Sequence, residues 1–89
     1  MQCLKPAPHV VSRMIQGRAL ILHHQQDEIQ QLNEVASFIW SCILKASFTV
    51  EGIVDELVQE FEVSHQQAFH DLQIFLRQLE QQDLLCYEE

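Results

Sequence analysis

Leu32-Asn33-Glu34-Val35-Ala36-Ser37-Phe38-Ile39-Trp40 joins a strand-like segment to the start of a helix, and the class of fold turns on that junction. Asn33 suits a helix N-cap, because its side-chain oxygen can accept a backbone N–H of the first turn. Phe38 and Trp40 follow with large apolar surface, and Trp40 is expected in the core. Val35, Phe38, Ile39, Cys42 and Ile43 recur at spacings of three and four, which predicts an amphipathic helix over about residues 34–44.

Upstream of the junction the pattern is β-prone. Val10-Val11-Ser12-Arg13-Met14-Ile15-Gln16 and Arg18-Ala19-Leu20-Ile21-Leu22-His23 flank Gly17, which permits a tight turn, so a hairpin is predicted. His24-Gln25-Gln26-Asp27-Glu28 reads as a second turn, and Ile29-Gln30-Gln31-Leu32 as a third short strand with an open backbone edge. Residues 1–9 contain Pro6 and Pro8 and are expected to be a flexible arm, leaving a single domain over residues 10–87.

Downstream, Thr49 is the expected cap of a second helix with apolar Val50, Ile53, Val54, Leu57, Val58 and Phe61. Ser64-His65-Gln66-Gln67 fits a capping box for a third helix, with Gln67 able to reach back to the cap N–H. Its core stripe is Ala68, Leu72, Phe75 and Leu79, with Phe69 and Leu76 on a flank beside it and Ile74 on another side. Leu84-Leu85-Cys86-Tyr87 reads as a short terminal strand or extended tail. The fold class is therefore α+β, a three-stranded N-terminal sheet followed by a three-helix bundle.

At 89 residues the chain is one domain, of a size that buries roughly 60% of its unfolded surface. Five Lys and Arg against thirteen Asp and Glu give a net charge of −8, which repels phosphate backbones and anionic membranes and favours a basic or neutral peptide. No stretch approaches the roughly 18 apolar residues of a membrane span, and Met1 to Val11 lacks an apolar secretion core, so a cytoplasmic location is expected. Cys3, Cys42 and Cys86 form no C-x-x-C pair and read as reduced thiols, Cys42 as a buried helix residue.

The five histidines show no H-x-x-x-H or H-E-x-x-H spacing, and there is no nucleophile elbow or glycine-rich phosphate loop. Neither catalytic residues, a metal nor a cofactor is expected; the chain reads as a binding protein rather than an enzyme. Two other classes compete. The second helix, Glu62-Val63 and the third helix look like a helix-turn-helix, but there Arg77 stands against Asp71, Glu80 and Asp83, whereas phosphate contacts need Lys and Arg, so no nucleic-acid partner is expected. A dimerising scaffold is the third class, since open strand edges permit domain swapping; the expected state is a monomer or a weak dimer.

The exposed edge at Ile29, Gln30, Gln31 and Leu32 offers unpaired backbone groups suited to β-augmentation by an extended peptide. Asp27 and Glu28 at the strand entrance favour a basic residue on that partner. Phe69, Leu72, Gln73 and Leu76 are the candidate peptide contacts on the third helix. Alternatives stand beside these: an edge strand with charged ends is also protected against aggregation, Phe69 and Leu76 also suit a core against the hairpin, and Asp71 also suits a purely structural acceptor.

Taken with Thr49-Val50-Glu51-Gly52-Ile53-Val54, Phe61-Glu62-Val63-Ser64 and Asp71 to Leu85, the hairpin and the Leu32–Trp40 junction resemble the PqqD-like family over about residues 10–87. The resemblance implies a winged helix-turn-helix-like peptide chaperone, or precursor-peptide recognition element, acting in the biosynthesis of ribosomally made peptides. In this family the leader of a precursor pairs as an extra strand with the third strand and lies against the third helix. A modifying enzyme then acts on the presented core: a radical S-adenosylmethionine protein in pyrroloquinoline quinone synthesis, or a leader peptidase in lasso peptide maturation. Two positions depart from the family, Lys45-Ala46-Ser47 and Asp83, where members often carry Gly; Asp also suits turns.

Overall fold

In a computed structural model, which describes residues 3–23, 28–45 and 48–88, the junction folds as its residues dictate. Asn33 accepts the N–H of Ala36 and starts α1, Glu34–Leu44. Before it come β1 (Cys3–Pro6), β2 (Val10–Ile15), β3 (Arg18–His23) and β4 (Glu28–Gln31). After it come α2 (Val50–Phe61), α3 (His65–Gln81) and β5 (Leu85–Glu88).

The central sheet is antiparallel with strand order β2-β3-β4. Gln16 and Gly17 connect β2 to β3 with φ of 53° and 79°, and this pair of positive φ values is what a two-residue turn matching the twist of a hairpin requires. Ala19, Ile21 and His23 of β3 point into the core, while Leu20 and Leu22 point outward. A small knot fixes sheet to helix: Leu32 N–H donates to the Ala19 carbonyl at 2.9 Å, and Ala19 N–H donates to the buried Ser37 Oγ at 2.8 Å. Ser37 thus satisfies a strand donor from inside α1.

The core gathers Ile39, Trp40, Cys42 and Ile43 of α1, Ile53, Val54 and Leu57 of α2, and Ala68, Leu72, Phe75, Leu76 and Leu79 of α3. Phe38 and Phe61 extend it edge-to-face, with ring centroids 5.4 Å apart. Burial pushes the Cys42 thiol up, so it stays protonated and is a poor nucleophile.

The N-terminal segment departs from its sequence expectation. Cys3–Pro6 is not an unpaired arm: it forms a two-stranded antiparallel ribbon with β5, and Leu4 is fully buried. Leu4 N–H also donates to the Phe48 carbonyl at 3.1 Å. Four residues carry too little alternation to announce a strand, and the partner lies at the other end of the chain. Pro6 is tolerated because β1, one of only two strands in the ribbon, is an edge strand.

α3 ends in a Schellman motif. Leu84 N–H donates to the Leu79 carbonyl at 2.9 Å and Asp83 N–H to that of Glu80 at 3.2 Å, with Asp83 left-handed at φ 58°. Asp83 therefore holds the conformation that a glycine adopts most freely. At the other end the capping box is half formed. Ser64 Oγ accepts from Gln67 N–H at 3.1 Å, but the Gln67 side chain turns forward and donates to Asp71 Oδ1 at 2.9 Å instead of reaching back. Of the second turn expected over His24–Glu28, Glu28 instead opens β4 and the other residues lie outside the described ones, as do Ala46 and Ser47.

Candidate functional site

Among the described residues β4 is an edge strand, so one row of its backbone donors and acceptors has no partner strand there. α3 runs beside it, and between them lies an open groove of about 540 Å³. The wall on the β4 side is Gln30, Gln31, Leu32 and Asn33; the opposite wall is Asp71, Ile74, Phe75 and Gln78; Val35, Ala36 and Ile39 of α1 complete the lining. Ile74 stands 47% exposed in this wall, while Phe75 and Ile39 are buried beneath. Beyond Gln78, the Gln30 side-chain amide donates to Gln82 Oε1, tying β4 to the end of α3.

The chemistry of the groove is amide and apolar. Gln30, Asn33 and Gln78 offer both donors and acceptors, Asp71 contributes a carboxylate already held by Gln67, and none of the lining residues is Lys or Arg. Such a surface suits an extended neutral or basic segment whose main chain pairs with β4 and whose alternate side chains enter between Ile74 and Val35. Among the described residues no group of His, Cys, Asp and Glu is placed to hold a metal, and no helix is long and apolar enough to cross a membrane.

The residues expected from sequence divide. Ile29, Gln30, Gln31 and Leu32 lie on or just after β4, with Gln30 and Leu32 in the groove and Gln31 at its border, while the register puts Ile29 and Gln31 on the outward side of the strand. Glu28 opens β4, and Asp27 lies outside the described residues. On α3 the expected set is not at the groove. Leu72 and Leu76 are 0% and 3% exposed and belong to the core, while Phe69 and Gln73 border a separate hollow at the start of the helix with Ser64, Gln66 and His70.

The reason is angular. At about 100° per residue, the core stripe of α3 has a flank on each side, Phe69, Gln73 and Leu76 on one and Asp71, Ile74 and Gln78 on the other. Periodicity identifies both flanks but not which one turns toward the sheet. The signal that was present is Ile74 itself, an apolar residue between Asp71 and Gln78 at spacings of three and four.

Comparison with known proteins accords with this geometry. Residues 18–85 match the family model for coenzyme PQQ synthesis protein D (PqqD). No curated protein matches the chain. Among solved structures, TbiB1 in complex with the TbiA(beta) leader peptide is 34% identical, with a TM-score of 0.85 over 91% of this chain and 93% of that one. Lasso peptide synthetase B1 complexed with the leader peptide shares the fold at 19% identity, with a TM-score of 0.83 over 93% of this chain and 96% of that one.

Proposed function

The chain belongs to the PqqD family, and from that premise we propose that it is a non-catalytic peptide chaperone that captures the leader of a ribosomally made precursor and presents it to a modifying enzyme. The observation that carries this is the conjunction of a free β4 edge with an amide-rich, apolar-floored groove against α3, in a chain 34% identical to a protein solved with a leader peptide on it. Strand addition supplies affinity through the main chain, and the side chains that alternate into the groove supply selection. We place the peptide contacts at Gln30, Gln31, Leu32, Asp71, Ile74 and Gln78, with Asp27 and Glu28 drawing a basic residue to the strand entrance. The modifying enzyme, a radical S-adenosylmethionine protein or a leader peptidase, and a cytoplasmic setting belong to the same proposal.

The test is an NMR titration of the labelled chain with the TbiA(beta) leader peptide and, separately, with duplex DNA at physiological salt. Saturable shifts are expected at residues 29–32 and at Asp71, Ile74 and Gln78, and none from DNA. Shifts from DNA along α3 with no response to peptide would return the helix-turn-helix interpretation, which the lone Arg77 and the net charge of −8 oppose.

A further inference from the structure

The outward face of the central sheet is more apolar than a solvated antiparallel face ordinarily is. Val11, Leu22 and Ile29 stand in one row across β2, β3 and β4, and Leu20 lies in the next row between Arg13 and Gln31. A shallow hollow runs over Val11, Leu20, Leu22 and Ile29. Ile29 ends the row on the edge strand and is 70% exposed, the largest value among the big apolar side chains described.

Resting on the strand-addition mode proposed above, we infer that this face is a second specificity surface for the same peptide, with Ile29, backed by Leu22 on the next strand, selecting an apolar side chain at the outward position beside the groove-facing one. The geometry follows from the pleat. Successive side chains of an added strand point to opposite faces, so a residue entering the groove beside Ile74 has a neighbour pointing outward. A cross-strand neighbour on one face lies about 5 Å away, within contact of Ile29. The recognised segment therefore carries two adjacent apolar residues. A groove reading one side alone would select an apolar residue only at every second position.

Charge favours the peptide over a second copy of the chain as occupant. Arg13 and Arg18 stand on this same outward face, and two such faces stacked together would oppose like charges. A captured strand extends the row Val11–Leu22–Ile29 by one member without that conflict.

The experiment selects a phage-displayed library of random extended peptides on the full chain and, in parallel, on Ile29→Lys and Ile74→Glu. The exposure of Ile29 lets the lysine variant fold, which circular dichroism checks. The wild-type consensus is expected to hold adjacent apolar residues, and Ile29→Lys to keep the groove-facing one while exchanging its neighbour for Asp or Glu. The synthetic wild-type consensus peptide should bind Ile29→Lys about fivefold more weakly, and a peptide with Glu at the outward position should recover the loss. An unchanged consensus on Ile29→Lys, with consensus lost on Ile74→Glu, would overturn the second surface and leave leader capture standing. No consensus on the wild-type chain would remove strand addition, and the second surface with it. Self-association in sedimentation that Ile29→Lys abolishes, with the peptide consensus unmoved, would assign the face to a second copy instead.

Discussion

The two flanks of α3 share one helix and one buried stripe, yet they meet different surroundings. Toward β4, the flank of Asp71, Ile74 and Gln78 is left open as the wall of a groove. On the far side, Leu76 is drawn into the core, Phe69 is exposed, and Glu80 accepts a hydrogen bond from the Tyr87 hydroxyl of β5. The far flank is thus partly consumed by packing and by the terminal ribbon, while the near flank keeps apolar surface uncovered beside unpaired backbone. Uncovered surface next to a free edge is what a docking strand needs, and buried surface is what stability needs.

The sharpest way to break this contrast is to truncate the far flank. Leu76→Ala empties a site that is 3% exposed and is expected to cost about 2–5 kcal/mol of stability, whereas Phe69→Ala, half in solvent, should cost well under half as much. Chemical denaturation of the two variants checks it. Equal costs would mean that the flank is not divided as described.

Binding should show the reverse preference. Ile74→Glu places a charge in the groove wall and is expected to weaken the TbiA(beta) leader peptide by about tenfold, with stability changed by only about 0.5 kcal/mol because the side chain is half exposed. Phe69→Glu should leave affinity within about twofold, about 0.4 kcal/mol. Calorimetric titration of both variants decides between the flanks. A larger loss at Phe69 would move the contact surface to the hollow at the start of α3.

Much of the fold was legible because local rules and tertiary packing agree. The Asn33, Thr49 and Ser64 caps, the Gln16-Gly17 turn and the three helical stripes are each set by residues within a few positions of one another. The β4 half of the candidate site was legible for the same reason, since an alternating polar strand running into a cap announces an edge. What stayed hidden depends on distant partners. β1 exists because β5 lies beside it, and the choice between the flanks of α3 depends on where the sheet sits, which no periodicity within the helix records. Phe69 and Leu76 widen the apolar arc in the sequence, although Ile74, on the opposite flank, holds the groove wall.

Both flanks end at the same turn, where Gln82 reaches Gln30 across the groove and Leu84 leads into the ribbon. Asp83 and, at the end of α2, Glu62 hold left-handed backbone at φ 58° and 53°. Glu62→Gly is expected to stabilise the protein by about 1 kcal/mol and Asp83→Gly by somewhat less, since Asp tolerates this region better than Glu. Thermal denaturation measures both. A destabilised Asp83→Gly would mean that the Schellman turn draws on the Asp side chain and not on backbone geometry alone.

The smallest expected effect reports on the far flank alone. Tyr87 is the only tyrosine, and its hydroxyl is pushed up to about 12, first by burial and then by its hydrogen bond to Glu80 and that residue's charge. A group whose folded pKa exceeds its ordinary value of 10.0 favours the folded state while it stays protonated. This contribution is therefore complete below pH 10 and is lost as the pH rises toward 12. Tyr87 is 42% exposed, so solvent screens the pair and the stability change is slight. The titration itself remains clear: phenolate absorbance should rise near pH 12 in the wild type and at lower pH in Glu80→Gln, with burial retaining part of the shift. A midpoint at the ordinary value in both would detach the ribbon from α3, leaving both flanks of the helix open in solution and the distinction between them unsupported at its C-terminal end.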